Sequence, residues 1–175
     1  MKKEILFVLI FFTLTLSAFA QNGAFSKGDK LLNIGIGVNS YYGRGIPFGA
    51  SFEYGITDDI SVGGNVDYFS ESYRFAGDRY RYRVMYFGAR GAYHFNNLLN
   101  INNDAVDLYG GLTLGFRNFS WNNSWDDDLD GVYSSGLFLG AFIGGKYYFS
   151  KNISGFAELG AIGSTNGRIG IAFRF

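Results

Sequence analysis

From Lys30 onward, apolar residues recur at every second position, and the residues between them are polar, charged or glycine. A period of two places alternate side chains on opposite faces of an extended strand. Eight segments carry this pattern. The apolar face holds Leu32, Ile34, Ile36 and Val38 in the first, Phe48, Ala50, Phe52, Tyr54 and Ile56 in the second, and Ile60, Val62, Gly64, Val66 and Tyr68 in the third. The fourth presents Met85, Phe87, Ala89, Gly91, Tyr93 and Phe95, and the fifth Val106, Leu108, Gly110, Leu112, Leu114 and Phe116. The sixth presents Leu137, Leu139, Ala141, Ile143, Tyr147 and Phe149, the seventh Ile153, Ala157, Leu159 and Ala161, and the last Ile169, Ile171, Phe173 and Phe175. Almost none of this region shows the i, i+3, i+4 repeat of an amphipathic helix.

The opposite face decides where such strands belong. It carries Asn33, Glu53, Asn65, Asp67, Arg90, Asp107, Arg117, Lys146, Glu158, Arg168 and Arg174, interleaved with Gly35, Gly37, Gly49, Gly63, Gly88 and Gly111. A soluble barrel or sandwich hides its apolar face and wets the polar one. In this chain the apolar face is the uninterrupted one, and the charges opposite it come as four acids and five bases, a set that can pair off inside a narrow barrel. The pattern therefore predicts an all-β protein: an eight-stranded antiparallel up-and-down transmembrane β-barrel, apolar side outward. In hydrocarbon every backbone N–H and C=O must be paired within the protein, which leaves a closed barrel and excludes an open sheet.

The connections agree with that reading. "TDD", "NNLLNINND" and "SKN" follow the second, fourth and sixth strands; "YYGRG", "SESYRFAGDR", "NFSWNNSWDDDLDG" and "STNG" follow the others and are on average longer and richer in aromatics and charge. Short periplasmic turns and longer outer loops produce this asymmetry. Aromatic residues are abundant, at 19 Phe, 13 Tyr and 2 Trp. They are expected in two interfacial girdles: Tyr54, Tyr93, Phe95, Tyr147 and Phe149 at the periplasmic side, and Tyr41, Tyr42, Tyr68 and Trp121 at the other. A three-residue "TNG" turn with Gly167 left-handed would set Ser164 opposite Arg168, and hence Glu158 opposite Arg174.

The N-terminus predicts export. Lys2 and Lys3 precede an apolar run from Ile5 to Leu16 and the small-x-small triplet Ala18-Phe19-Ala20. That run is shorter than the roughly 20 apolar residues of a membrane-spanning helix. Cleavage is expected between Ala20 and Gln21, so that residues 1–20 are a signal peptide, 21–29 a short periplasmic lead and 30–175 the barrel. Equal numbers of acidic and basic residues, 15 each, give no field that would recommend nucleic acid as a partner. The absence of cysteine excludes disulfides, thiolate chemistry and a lipidated cysteine.

Together these features resemble the small eight-stranded outer-membrane barrels of Gram-negative bacteria, the OmpA and OmpX type and the porin family around them. The resemblance covers Lys30 to Phe175. Its most specific element is the ending: Gly170 with the alternating Ile171, Phe173 and Phe175 is similar to the C-terminal signal that the barrel assembly machinery reads in this family. The resemblance implies an integral outer-membrane protein, handled by periplasmic chaperones and the assembly machinery, monomeric, and in contact with outer-membrane lipids and lipopolysaccharide. A peptidoglycan-binding domain after the barrel has no room in 175 residues.

An eight-stranded interior is just wide enough for side chains to fill. The expected function is therefore structural support of the envelope, with at most a narrow, mostly plugged pore. Glu53, Asp67, Arg90, Arg117, Lys146, Glu158, Arg168 and Arg174 form the expected lumen charge network. Two other classes compete: a surface-binding barrel acting through its outer loops, and a lipid A-modifying enzyme. The single histidine, His94, is read as an inward-facing rim residue at the periplasmic end, not as a base, so no catalytic residue, metal site or cofactor is expected. In the third outer loop, Trp121 and Trp125 beside Asp126, Asp127, Asp128 and Asp130 are the candidate binding residues. An EF-hand spacing with a closing Glu is absent there.

Overall fold

The computed structural model describes residues 24–75, 78–121 and 134–175. Eight strands appear where the alternation places them: β1 Lys30–Gly37, β2 Phe48–Gly55, β3 Ile60–Phe75, β4 Asp78–His94, β5 Val106–Trp121, β6 Gly136–Tyr148, β7 Ile153–Ile162 and β8 Thr165–Arg174. Each pairs antiparallel with its neighbours in sequence, and β8 pairs with β1 through Ile34↔Ile171, so the barrel closes with no free edge.

The burial pattern is that of a soluble protein turned inside out. Leu137, Leu139, Leu159 and Leu112 are 85%, 71%, 63% and 61% exposed, whereas Glu53, Asp107 and Glu158 are at most 1% exposed. Apolar residues stand outward because strand alternation leaves them no other face once the charges turn inward. At one end lie residues 24–29, the connections 56–59, 95–105 and 149–152, and Phe175, whose N–H bonds the Lys30 carbonyl at 3.0 Å. Two aromatic pairs mark that rim, Tyr93 with Phe95 and Tyr147 with Phe149, at centroid distances of 5.4 and 5.7 Å.

The structure corrects the sequence reading at three places. First, the described residues of "SESYRFAGDR", all but Ala76 and Gly77, are strand and not loop. β3 and β4 stay paired as far as Phe75↔Asp78, and β5 follows to Tyr82↔Trp121, so these strands overhang the rest of the barrel. Second, "TNG" is not the β7–β8 turn. The chain reverses at Gly163-Ser164, with Gly163 at φ 59° and Ile162 paired to Thr165, the two-residue turn whose first position needs positive φ. A bulge between Leu159 and Ile162, with Gly160 at φ 137°, feeds that turn. Third, the register then sets Glu158 opposite Arg168, so the expected Glu158–Arg174 pair does not form.

Candidate functional site

The inward positions of all eight strands meet in one lumen, which is filled in layers. Arg90 on β4 organises the middle. Its Nε lies 3.3 Å from Oε1 of Glu53 on β2, and its Nη2 donates to Oε1 of Glu158 on β7 at 2.7 Å. The guanidinium also lies 4.0 Å above the Phe142 ring. Glu53 accepts further bonds from Asn33 Nδ2 at 2.9 Å and Ser61 Oγ at 3.0 Å, and Glu158 accepts one from the Tyr109 hydroxyl at 3.0 Å. A cation placed between two carboxylates that accept further hydrogen bonds is what allows these charges to remain in a low-dielectric interior.

Arg168 turns instead to Asp67, to which it is hydrogen bonded and ion paired. Gly49 makes room for it: a Cβ there would sit 2.6 Å from the guanidinium carbon. Lys146 lies 3.8 Å from Asp107 Oδ2 and 3.9 Å from the centre of the Tyr109 ring. Six of the eight expected network residues, Glu53, Asp67, Arg90, Lys146, Glu158 and Arg168, are thus buried together in the lumen.

The other two are not in it. Arg174, being next to last, reaches the rim that carries residues 24–29 and 149–152. It donates to the Lys151 carbonyl at 2.9 and 2.6 Å and to the Ala24 carbonyl at 3.2 Å, and lies 3.7 Å from Asp29. Arg117 stands at the opposite rim, donating to the Ser134 carbonyl at 3.0 Å and to the Tyr42 hydroxyl at 3.4 Å. Both positions point inward by alternation, but at the strand ends the lumen opens and backbone carbonyls are the available partners.

Aromatics pack inside the lumen toward both ends. The sequence reading assigned the aromatic surplus to the girdles, yet Phe69, Tyr82, Val84 and Tyr86 form a buried cluster in the half of the barrel away from Phe25, with Tyr42, Phe119 and Phe138 packed on it. Tyr42 leaves its expected place in the girdle. It folds from the β1–β2 connection into the mouth, where its hydroxyl bonds that of Tyr86 and its carbonyl accepts from Tyr82. At the end that carries residues 24–29, the Phe25 ring lies flat on the His94 imidazole, 3.5 Å between centroids. Residues 26–29 hold it there: Gly28 N–H bonds the Gly55 carbonyl and Gly55 N–H the Asp29 carbonyl, both at 2.8 Å. Burial of the Asp29 carboxyl raises its pKa, against the opposing effect of Arg174.

No family model and no curated protein matches the chain by sequence. Solved structures do match by shape. The outer membrane protein OprG of Pseudomonas aeruginosa superposes with a TM-score of 0.60 at 13% identity, over 88% of this chain and 99% of that one. The N-terminal β-barrel domain of OprF from the same organism gives 0.53 at 18% identity, over 86% and 98%. Neisserial surface protein A gives 0.53 at 16%, over 84% and 94%. This chain has the fold of the small eight-stranded outer-membrane barrels.

Within that barrel His94, the last residue of β4, faces inward near one end as expected, and it is buried. Its Nδ1 is 2.8 Å from Asp107 and its Nε2 3.1 Å from Ser61 Oγ, the order of a hydrolase relay. Three observations separate it from one: Ser61 and Asp107 are 0% exposed, the Ser61 hydroxyl is also engaged by Glu53, and Phe25 covers the imidazole. The trio ties β3, β4 and β5 together across the lumen floor. The sequence signal for it was available in the alternation, since Ser61, His94 and Asp107 all occupy inward positions, but no periodicity shows that Phe25 would seal them. Gly170, Ile171 and Phe173 lie in β8 against β1, with Ile171 44% and the terminal Phe175 69% exposed toward the outside. Trp125, Asp126, Asp127, Asp128 and Asp130, and Ala20 and Gln21 at the expected cleavage site, lie outside the described residues; Trp121 ends β5, and its side chain is likewise outside them.

Proposed function

We propose that this protein is an integral outer-membrane barrel that supports the envelope structurally and has a closed lumen. The observation that supports the reading is the combination of a continuous apolar exterior with a buried Arg90 network in the interior, Phe25 on one side of it and the Tyr42 cluster on the other. In this reading export follows cleavage of a signal peptide after Ala20, and the terminal Phe175 serves the barrel assembly machinery. Outer-membrane lipid and lipopolysaccharide are the surroundings of a monomer. The barrel is non-catalytic, a view supported by the burial of Ser61.

Two measurements test it. Refolded into a planar bilayer, the protein is expected to show no steady ohmic conductance. Phe25→Ala is expected to remain closed as well, because the charged layer beneath it is intact; a steady open channel in the wild type would overturn the closed-lumen reading. For topology, the chain contains no cysteine, so single substitutions report cleanly. Arg44→Cys and Asn166→Cys, both exposed at the outer end, are expected to react with an impermeant thiol reagent on intact cells, and Lys151→Cys only after the outer membrane is opened. Labelling of Lys151→Cys alone would invert the barrel.

A further inference from the structure

Residues 24–29 cross the floor of the barrel as a strap that belongs to no strand. The Gly28 N–H donates to the Gly55 carbonyl and the Gly55 N–H to the Asp29 carbonyl, both at 2.8 Å, which ties the strap to the end of β2. The Lys27 N–H donates to Asp58 Oδ1 in the β2–β3 connection at 2.9 Å. On the other flank, Arg174 of β8 donates to the Ala24 carbonyl at 3.2 Å and lies 3.7 Å from Asp29, whose carboxylate also accepts from the Ser26 N–H at 3.0 Å. From these fastenings Phe25 reaches His94 on β4. The seat is built for the strap. A Cβ on Gly55 would lie 2.7 Å from the Ser26 carbonyl oxygen and 3.0 Å from the Phe25 ring. Among the described glycines positive φ falls at Gly28, Gly160 and Gly163, so Gly55 is not required by its own backbone; its missing side chain makes room for the strap.

What lies under the strap is polar. Asp107 Oδ2, Lys146 Nζ, Tyr148 Oη and Ser154 Oγ are buried and have no hydrogen-bond partner among the described residues. They adjoin the two residues that the strap touches: Asp107 bonds His94, Lys146 lies 3.8 Å from Asp107, the Arg174 guanidinium lies 4.7 Å over the Tyr148 ring, and Ser154 pairs with Tyr148 in the ladder. Water is the usual partner of such groups, and keeping them from it costs free energy. A cover closed over them therefore offsets part of what its own contacts contribute. Those contacts are few. Ala24 and Phe25 are the strap's buried apolar residues, whereas Lys27 and Gly28 are exposed. Segments with few buried apolar contacts open at free energies well below that of global unfolding. Gly28, at φ 92°, is the glycine about which this one turns.

We infer that residues 24–29 are a gating strap: it swings away from His94 while the barrel stays folded, and so admits water and small polar solutes to the polar layer at this end of the lumen. The Arg90 network lies deeper along β4 and stays shut, so the inference adds a one-ended gate to the closed lumen proposed above. It does not depend on which side of the membrane this end faces. His94 is the single histidine of the chain, which makes its reactivity a specific reporter. The test exposes the full mature chain, refolded in zwitterionic micelles, to diethyl pyrocarbonate. Carbethoxylation of the imidazole is followed by absorbance, and the gel mobility of unheated samples reports the folded barrel. Wild-type His94 is expected to react while the barrel stays folded, at a rate far below that of the heat-denatured chain. Gly55→Ala, which pushes the strap off its seat without touching the imidazole, is expected to react on the order of tenfold faster. Phe25→Ala is expected to react roughly tenfold to a hundredfold faster, the gain in open fraction when the burial of one aromatic side chain is lost. Gly136→Ala, where a Cβ meets nothing within 4 Å, is expected to react at the wild-type rate. Wild-type His94 that reacts only as the barrel unfolds would overturn the inference, because the strap would then be a fixed part of the floor. So would a folded Gly55→Ala or Phe25→Ala protein that reacts no faster than the wild type. Should Gly55→Ala fold poorly, the wild type and Phe25→Ala decide. A steady conductance of the wild type would instead remove the closed-lumen reading, a separate failure.

Discussion

Arg90→Met is expected to destabilise the barrel by about 3 to 5 kcal/mol, the usual cost of breaking a buried ion pair by removing one partner. The residue lies between Glu53 and Glu158, both at most 1% exposed, and its loss strands two carboxylates in the same low-dielectric space. The measurement is the unfolding midpoint of the refolded protein in detergent. Adding Glu158→Gln to Arg90→Met is expected to recover part of the loss, because one of the stranded charges is removed; a double variant as unstable as the sum of the singles would show that the pair is not coupled. Arg174 supplies the contrast. It sits at the rim on backbone carbonyls, so the Glu158→Gln and Arg174→Met changes are expected to add to within about 0.5 kcal/mol. Coupling between those two would mean that β7 and β8 pair in the register suggested by the sequence and not in the one observed.

Gly160→Val is expected to prevent the last hairpin from forming and so to block closure of the barrel. Gly160 holds φ 137°, where a side chain costs roughly 1 to 3 kcal/mol, and a Cβ there would run into the Ala141 carbonyl oxygen on the neighbouring strand. The nearest atoms it would meet are all β6 backbone, at Ala141 and Phe142, so no flexible side chain can move aside. The bulge at this residue also determines that Glu158 meets Arg168, so the lumen network would be misassembled along with the ladder. The folded fraction after dilution into detergent, read from the gel mobility of unheated samples, is expected to fall close to zero. Gly136→Ala is the control, because a Cβ at that strand end meets nothing within 4 Å. A Gly160→Val protein that folds as fully as Gly136→Ala would remove the bulge from the account of register.

Strand number, strand position and the inside-out arrangement follow from the sequence by itself. Period two assigns each side chain to a face, and the bilayer allows only one choice of which face is outward, so Leu112, Leu139 and Ile171 on one side and Glu53, Arg90 and Glu158 on the other needed no tertiary information. Tertiary structure decided which charges meet. Pairing across a barrel depends on the offset of each hairpin, and a bulge or turn of one residue more or less moves every later partner; Gly160 and Gly163 gave Glu158 to the Arg168 register and left Arg174 at the rim. Alternation likewise cannot distinguish an inward aromatic from an inward charge by height, so the cluster of Phe69, Tyr82 and Tyr86 emerged only with the closed barrel. The segments outside the strands were the least accessible. Phe25 and Tyr42 carry no periodic signal, and each is placed by the empty mouth it fills, a cavity that exists only after all eight strands have closed.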